Sequence, residues 1–120
     1  MLNRLSAEAK KSPRLRMNHN FHFGPADTLQ RMLNAIEPRS YIRPHKHENP
    51  DKREAFFALK GRIVILEFSP DGKISSHEIL DPMEGNYGVE VAPGTWHSMI
   101  ALREGSVAYE IKDGPYDPSN

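Results

Sequence analysis

The sequence contains no cysteine. Disulfide staples, thiolate metal sites and cysteine nucleophiles are therefore excluded, and any metal here must sit on imidazole and carboxylate. An excess of charge is also missing, because 16 basic residues balance 16 acidic ones. Nucleic acid and anionic membrane surfaces are recognised through a basic surplus, so neither is an expected partner. Long apolar runs are absent as well. Nothing approaches the roughly 18 residues of a membrane-spanning helix, and Met1–Lys11 lacks the apolar centre of a signal peptide. A cytoplasmic protein is the resulting expectation.

What is present is punctuation. Ten prolines and eight glycines in 120 residues fall between short apolar runs, the pattern of an all-β sandwich or barrel. The length suits one domain. We expect a helical extension over 1–12, a barrel over 14–112 and an irregular tail over 113–120.

Leu2, Leu5 and Ala9 recur at helical spacing until Ser12-Pro13 ends the pattern. Arg14–His22 reads as extended, with Leu15, Met17, His19 and Phe21 on one face and Arg14, Arg16, Asn18, Asn20 and His22 on the other. Such a polar face is solvated by default; the alternative is a pocket wall. Leu29, Met32, Leu33 and Ile36 fit a helical stripe, yet an all-β architecture favours a strand there, and a strand is the expectation. Ser40–His47 reads as extended and interrupted by Pro44, and further strands are expected over Glu54–Leu59, Arg62–Phe68, Lys73–Leu80, Tyr87–Val91, Thr95–Leu102 and Val107–Lys112. On the last of these, Glu110 and Lys112 share a face opposite Val107, Tyr109 and Ile111, where they either close the barrel mouth or are simply exposed. His19 and His77 read as surface residues.

The sharpest local feature is His45-Lys46-His47. Residues two apart on a strand project from one face, so both imidazoles can reach one metal ion. Glu54 opens the following strand, where the loop Glu48–Arg53 can return it to the histidine pair. Pro93-Gly94-Thr95-Trp96-His97 sets a third histidine just after a turn.

Together these residues resemble the cupin superfamily. His45, His47, Glu54 and Gly61 match its first motif, and Gly94 and His97 match its second, Pro-X-Gly-X-X-His. Three departures stand out. Six residues separate His47 from Glu54 where three or four are usual, Pro93 adjoins Gly94, and Ala101 replaces a frequent asparagine. The long spacer makes Glu48 a rival ligand, which strand parity argues against.

A closer resemblance is to the WbuC-family cupins. It is carried by Asn34-Ala35, Ser40–His47, Gly61–Leu66, Pro93–His97 and Gly114-Pro115-Tyr116-Asp117-Pro118, in that order. The resemblance implies a cupin double-stranded β-helix, a jelly-roll-like barrel with a short N-terminal helix. It also implies one divalent metal ion (Zn, Fe, Mn or Ni), a place in bacterial surface-polysaccharide metabolism and a homodimer. Family members tend to continue past Gly-Pro-Tyr-Asp-Pro, so a C-terminal piece is expected to be missing.

Three histidines and one carboxylate leave an octahedral ion one or two open positions, which suits a reactive or ligand-binding site. Glu54 would serve as ligand and proton acceptor. Tyr41 and Arg43 share strand parity with His45, provided Pro44 keeps the register, and Arg43 would then hold an anionic group. The expected ligand is a small polar or anionic sugar or sugar phosphate, and the expected chemistry is of the isomerase, epimerase or dioxygenase kind. The alternative is a non-catalytic carbohydrate-binding or sensing module. A metal-free epimerase-like role, with the histidines as acid and base only, is disfavoured by the intact ligand set.

Overall fold

The computed structural model describes residues 1–118; positions 119 and 120 of the expected tail lie outside the described residues. Helix α1 (Leu2–Lys11) forms where the spacing of Leu2, Leu5 and Ala9 predicts it. Lys10 and Lys11 occupy its last turn, where cations suit the negative end of the helix dipole. Ser12 then turns extended (φ −73°, ψ 140°), the conformation favoured ahead of a proline.

Eight strands follow: β1 (Arg16–Asn20), β2 (Leu29–Ile36), β3 (Glu54–Lys60), β4 (Ile63–Phe68), β5 (Ile74–Leu80), β6 (Gly88–Val91), β7 (Trp96–Ala101) and β8 (Ser106–Asp113). They make two antiparallel sheets, ordered β1-β2-β8-β3-β6 and β5-β4-β7. This is the expected double-stranded β-helix.

Register decides what the larger sheet presents on each face, because directly opposed residues point the same way. Asn18 opposes Asn34, Asn34 opposes Ala108, and Glu110 opposes both Met32 and Phe56. That face looks into the barrel. Leu33, Ala35 and Val107 point the other way, and α1 covers them with Leu5 and Ala9. Burying Leu5 alone is worth about 1.5–3 kcal/mol, so the helix is held by its packed face more than by its length. Between the sheets Ile36, Phe56 and Ala108 meet Ile63, Ile65, Leu80, Met99 and Ala101.

The ambiguous segment 29–36 is a strand throughout. Its apolar residues serve two different layers, Leu33 and Ala35 under the helix and Ile36 inside the barrel. Two layers of burial happen to mimic one helical stripe.

Ser40–His47 is extended and interrupted at Pro44, as expected. The segment joins no sheet, apart from a single bridge between His45 and His97. Pro44 has no N–H to donate, so a continuous ladder cannot pass through it. Gly61 turns the chain from one sheet into the other at φ +83°. A Cβ at that position would lie 2.6 Å from the Cα of Ser106, so glycine alone fits.

Candidate metal centre

His45, His47, Glu54 and His97 converge, with one ligand atom from each lying within 4.8 Å of all the others. Each arrives from a different local device. The His45–His97 bridge, with N···O distances of 3.0 and 2.8 Å, clamps the two backbones together. His47 is fixed by its carbonyl, which accepts from Gly94 N at 3.0 Å. Gly94 can take the φ of +74° that the turn before β7 requires.

Glu54, the first residue of β3, comes back across the long Glu48–Arg53 loop. That loop is anchored by the buried Lys52, whose Nζ donates to the Pro115 carbonyl at 2.7 Å. The rival Glu48 pairs instead with Lys46 Nζ at 2.7 Å. The stretched spacer is thus absorbed without displacing Glu54 from the cluster.

The tautomers follow from the backbone. His45 Nδ1 lies 2.9 Å from the Arg43 carbonyl, and His97 Nδ1 lies 2.8 Å from the Thr95 carbonyl. A carbonyl oxygen only accepts, so each Nδ1 carries the proton and each neutral ring offers a bare Nε2 lone pair inward. This outer hydrogen bond is the usual way in which a metal-binding imidazole is aimed.

Glu54 and His97 are each 2 % exposed. Glu54 Oε1 sits 2.8 Å from His97 Nε2 and 3.0 Å from His47 Nε2. Despite this closeness, neither Glu54 Oε1 nor His97 Nε2 has a partner in hydrogen-bonding geometry. Lone pairs facing lone pairs in a buried site call for a cation between them. The donor set therefore fits a divalent metal, with three imidazole nitrogens and one carboxylate oxygen.

The two histidines shift in opposite directions. Burial favours neutral His45 and holds its pKa below the ordinary value, which keeps it available as a ligand. Burial pulls His97 down too, but the Glu54 carboxylate outweighs it and raises the net value. Burial pushes Glu54 up; contacts to His47, His97 and Glu110 overcome that push, so Glu54 stays ionised.

Glu110, which the sequence left between the barrel mouth and an exposed face, borders the cluster. It faces the barrel from β8 and its Oε1 accepts from Asn34 Nδ2 at 2.8 Å. Burial and a hydrogen bond to Glu54 push its carboxyl up to about 8. Two carboxyls this close share one proton, and Glu110 holds it. A signal existed in the alternation of Ala108, Glu110 and Lys112, but only the pairing of β8 between β2 and β3 shows that this face is interior.

Tyr41 and Arg43 do not line the cavity beside the cluster. Tyr41 is 72 % exposed and Arg43 is also exposed, whereas Ile42 packs inward against the core. Ile42 and His45 point the same way although three residues apart, because the chain does not keep strand parity through Pro44. A cavity of about 180 Å³ opens beside His45, Glu54 and His97. Its polar wall comes from Arg14, Arg16, Asn18, Asn34 and Glu110, and Phe56, Ile65 and Met99 form the apolar side. The polar face of β1 is thus a pocket wall. Asn18 and Glu110 also border a wider outer cleft with Lys112 and Tyr116. His77 is exposed, while His19 is half-buried with its ring against Phe21. Among the described residues, no helix is long and apolar enough to cross a membrane.

Solved structures with this fold include KdgF from Halomonas sp., at a TM-score of 0.66 and 15 % identity over 90 % of this chain and 86 % of that one. BH2720 from Bacillus halodurans matches at a TM-score of 0.66 and 22 % identity, over 94 % of this chain and 80 % of its own. The capsular polysaccharide assembling protein CapF from Staphylococcus aureus reaches 0.70 at 18 % identity, over 91 % of this chain and 31 % of CapF. The chain therefore corresponds to less than a third of CapF. These neighbours are cupin-fold proteins, and at such identities they share the fold alone. No curated protein matches the sequence. The family described as a domain of unknown function, DUF6016, matches residues 1–80, two thirds of the chain, and the protein belongs to that family.

Proposed function

We propose that this protein is a metal-dependent cupin that binds one divalent ion on His45, His47, Glu54 and His97 and acts on a small sugar-type ligand in the adjoining cavity. The observation that carries the reading is the buried pair Glu54 Oε1 and His97 Nε2, which face each other without hydrogen-bonding geometry. Bound there, zinc, iron, manganese or nickel would supply Lewis acidity towards a carbonyl or hydroxyl oxygen.

The chain's own residues would do the rest. Phe56, Ile65 and Met99 exclude water from one side, while Asn18 and Asn34 orient polar groups on the other. Glu110 holds a proton at its carboxyl within the same cavity, beside the ionised Glu54. That arrangement of one protonated and one ionised carboxyl suits proton transfer, as isomerisation or epimerisation needs. The cavity holds about six times the ~30 Å³ share of a liquid water molecule, so the reacting part of the ligand is of monosaccharide size or smaller. The WbuC-like segments and the fold shared with a capsular polysaccharide assembling protein support a place in surface-polysaccharide metabolism. A cytoplasmic homodimer belongs to the same reading.

Elemental analysis of purified protein tests it. The wild type is expected to carry about one equivalent of metal per chain, with loss in the His45→Ala/His97→Ala variant. Equal metal in both would refute the site. Incubation of the loaded protein with sugars and sugar phosphates, followed by NMR, then reads the chemistry: new resonances indicate turnover, whereas shifted resonances without product indicate a sensing module.

A further inference from the structure

We infer that the ligand of this cavity is an anion, and that Arg16, assisted by Arg14, holds its carboxylate or phosphate group at the end of the cavity formed by β1. The inference rests on the metal-centre reading for where the other end of the ligand lies.

Arg16 and Arg14 both line the cavity that contains His45, Glu54 and His97. They are two like charges placed together. Among the described residues neither takes part in an ion pair, since the acidic partners found engage Arg31, Lys46, His47, Arg53, Arg62, His97 and Arg103. Arg16 is half-buried and its guanidinium is lowered in pKa by burial and by the nearby Arg14. Two adjacent guanidinium groups, one of them partly desolvated, repel each other until an anion joins them.

Arg16 is also held in place. Its Nη1 donates to the Tyr41 carbonyl at 2.6 Å. That bond uses one of five guanidinium N–H donors and leaves the planar fork for an oxyanion. The strand explains the position: Arg16 opposes Ile36 and Asn18 opposes Asn34, so arginine and both amides share the inward face. Tyr41, whose side chain points outward, contributes through its backbone oxygen. The charge balance runs the same way. Two arginines and a divalent ion outweigh the two carboxyls that line the cavity, Glu54 and Glu110, even with both ionised, and leave a net positive chamber. A neutral sugar would leave that charge uncompensated, whereas a small acid or phosphate ester would not.

The test is calorimetric titration of metal-loaded protein with malonate, its neutral analogue malonamide, and inorganic phosphate. Malonate is expected to bind at least tenfold more tightly than malonamide, and Arg16→Gln is expected to weaken it at least tenfold. Arg16→Lys should recover only part of that loss, because an ammonium lacks the fork. Circular dichroism checks that each variant is folded. The ratio of malonate to phosphate affinity tells whether the group held is a carboxylate or a phosphate.

Malonate binding that is indifferent to Arg16, equal binding of malonamide, or no binding of either anion would overturn the inference. Parallel titrations without metal separate the two readings. A protein that takes up no metal yet binds malonate through Arg16 defeats the metal centre and keeps the clamp. A loaded protein in which Arg16 is irrelevant does the reverse.

Discussion

Asp81 and Glu54 are both almost fully buried carboxylates, 1 % and 2 % exposed. Asp81 is surrounded by donors. Arg62 Nη1 reaches its Oδ2 at 3.0 Å, Met83 N donates to its Oδ1 at 2.9 Å, and Arg103 stands 3.8 Å away. Burial pushes its carboxyl up, but those donors win and hold it below the usual range. Glu54 faces His97, whose ring N–H is already spent on the Thr95 carbonyl as that of His45 is on Arg43, and a second carboxyl. The two sites have similar burial and opposite satisfaction. A buried acid with matching donors belongs to the architecture, and one without them is waiting for a cation.

The largest expected effect separates the two acids by metal. Glu54→Gln should weaken metal affinity by more than about 100-fold, beyond what loss of an outer hydrogen bond costs. Asp81→Asn should leave metal content at the wild-type level. The converse holds for stability. Asp81→Asn should lower the melting temperature by several degrees, and Glu54→Gln should change the metal-free protein much less. Comparable melting losses for both acids would erase the distinction.

The next effect is a pH dependence of opposite sign at the two sites. Asp81 is depressed, so its stabilisation is present above its ordinary value of 3.8 and lost as pH falls through its folded pKa. Glu110 is raised from 4.5 to about 8. Between those values the folded state keeps a proton that the unfolded chain releases, so metal-free protein should lose stability as pH rises across that window. His97 acts in the same direction above its ordinary 6.5. Metal displaces protons, and loaded protein should gain stability over the same range. Thermal melts of both forms from pH 5 to 9 check this, and parallel curves would contradict it.

A smaller effect is expected at Asn34. Asn34→Ala removes the amide that donates to Glu110 and should shift the pH profile of any activity while leaving metal content intact. The smallest is at Arg43. Arg43→Gln should leave malonate affinity within about twofold, because its side chain points to solvent, where single charges matter little.

Which parts were legible in the sequence follows from how local each one is. His45 and His47 show a shared face in three residues, and the Pro93-Gly94 turn announces His97. Glu54 was readable because Gly61 fixes the sheet-to-sheet corner of its strand, even with a long loop before it. Tyr41 and Arg43 face outward because their parity with His45 needed a register that Pro44 breaks. Arg16 and Glu110 were visible in the sequence only as one of two alternatives, site border or solvated face. Their role comes from β1 and β8 sharing a sheet with β3, and those contacts join positions 76 residues apart, as in Asn34 and Glu110. The helix over 2–11 needed no such information, since its spacing and its proline stop are both local.

The central claim is that the orphaned pair in the barrel encloses a cation, and its most direct test is crystallographic. Crystals of zinc-loaded protein should show one strong anomalous peak per chain, bounded by His45 Nε2, His47, Glu54 Oε1 and His97 Nε2. A peak elsewhere, or an ordered cluster with no anomalous density at full zinc loading, would contradict the account.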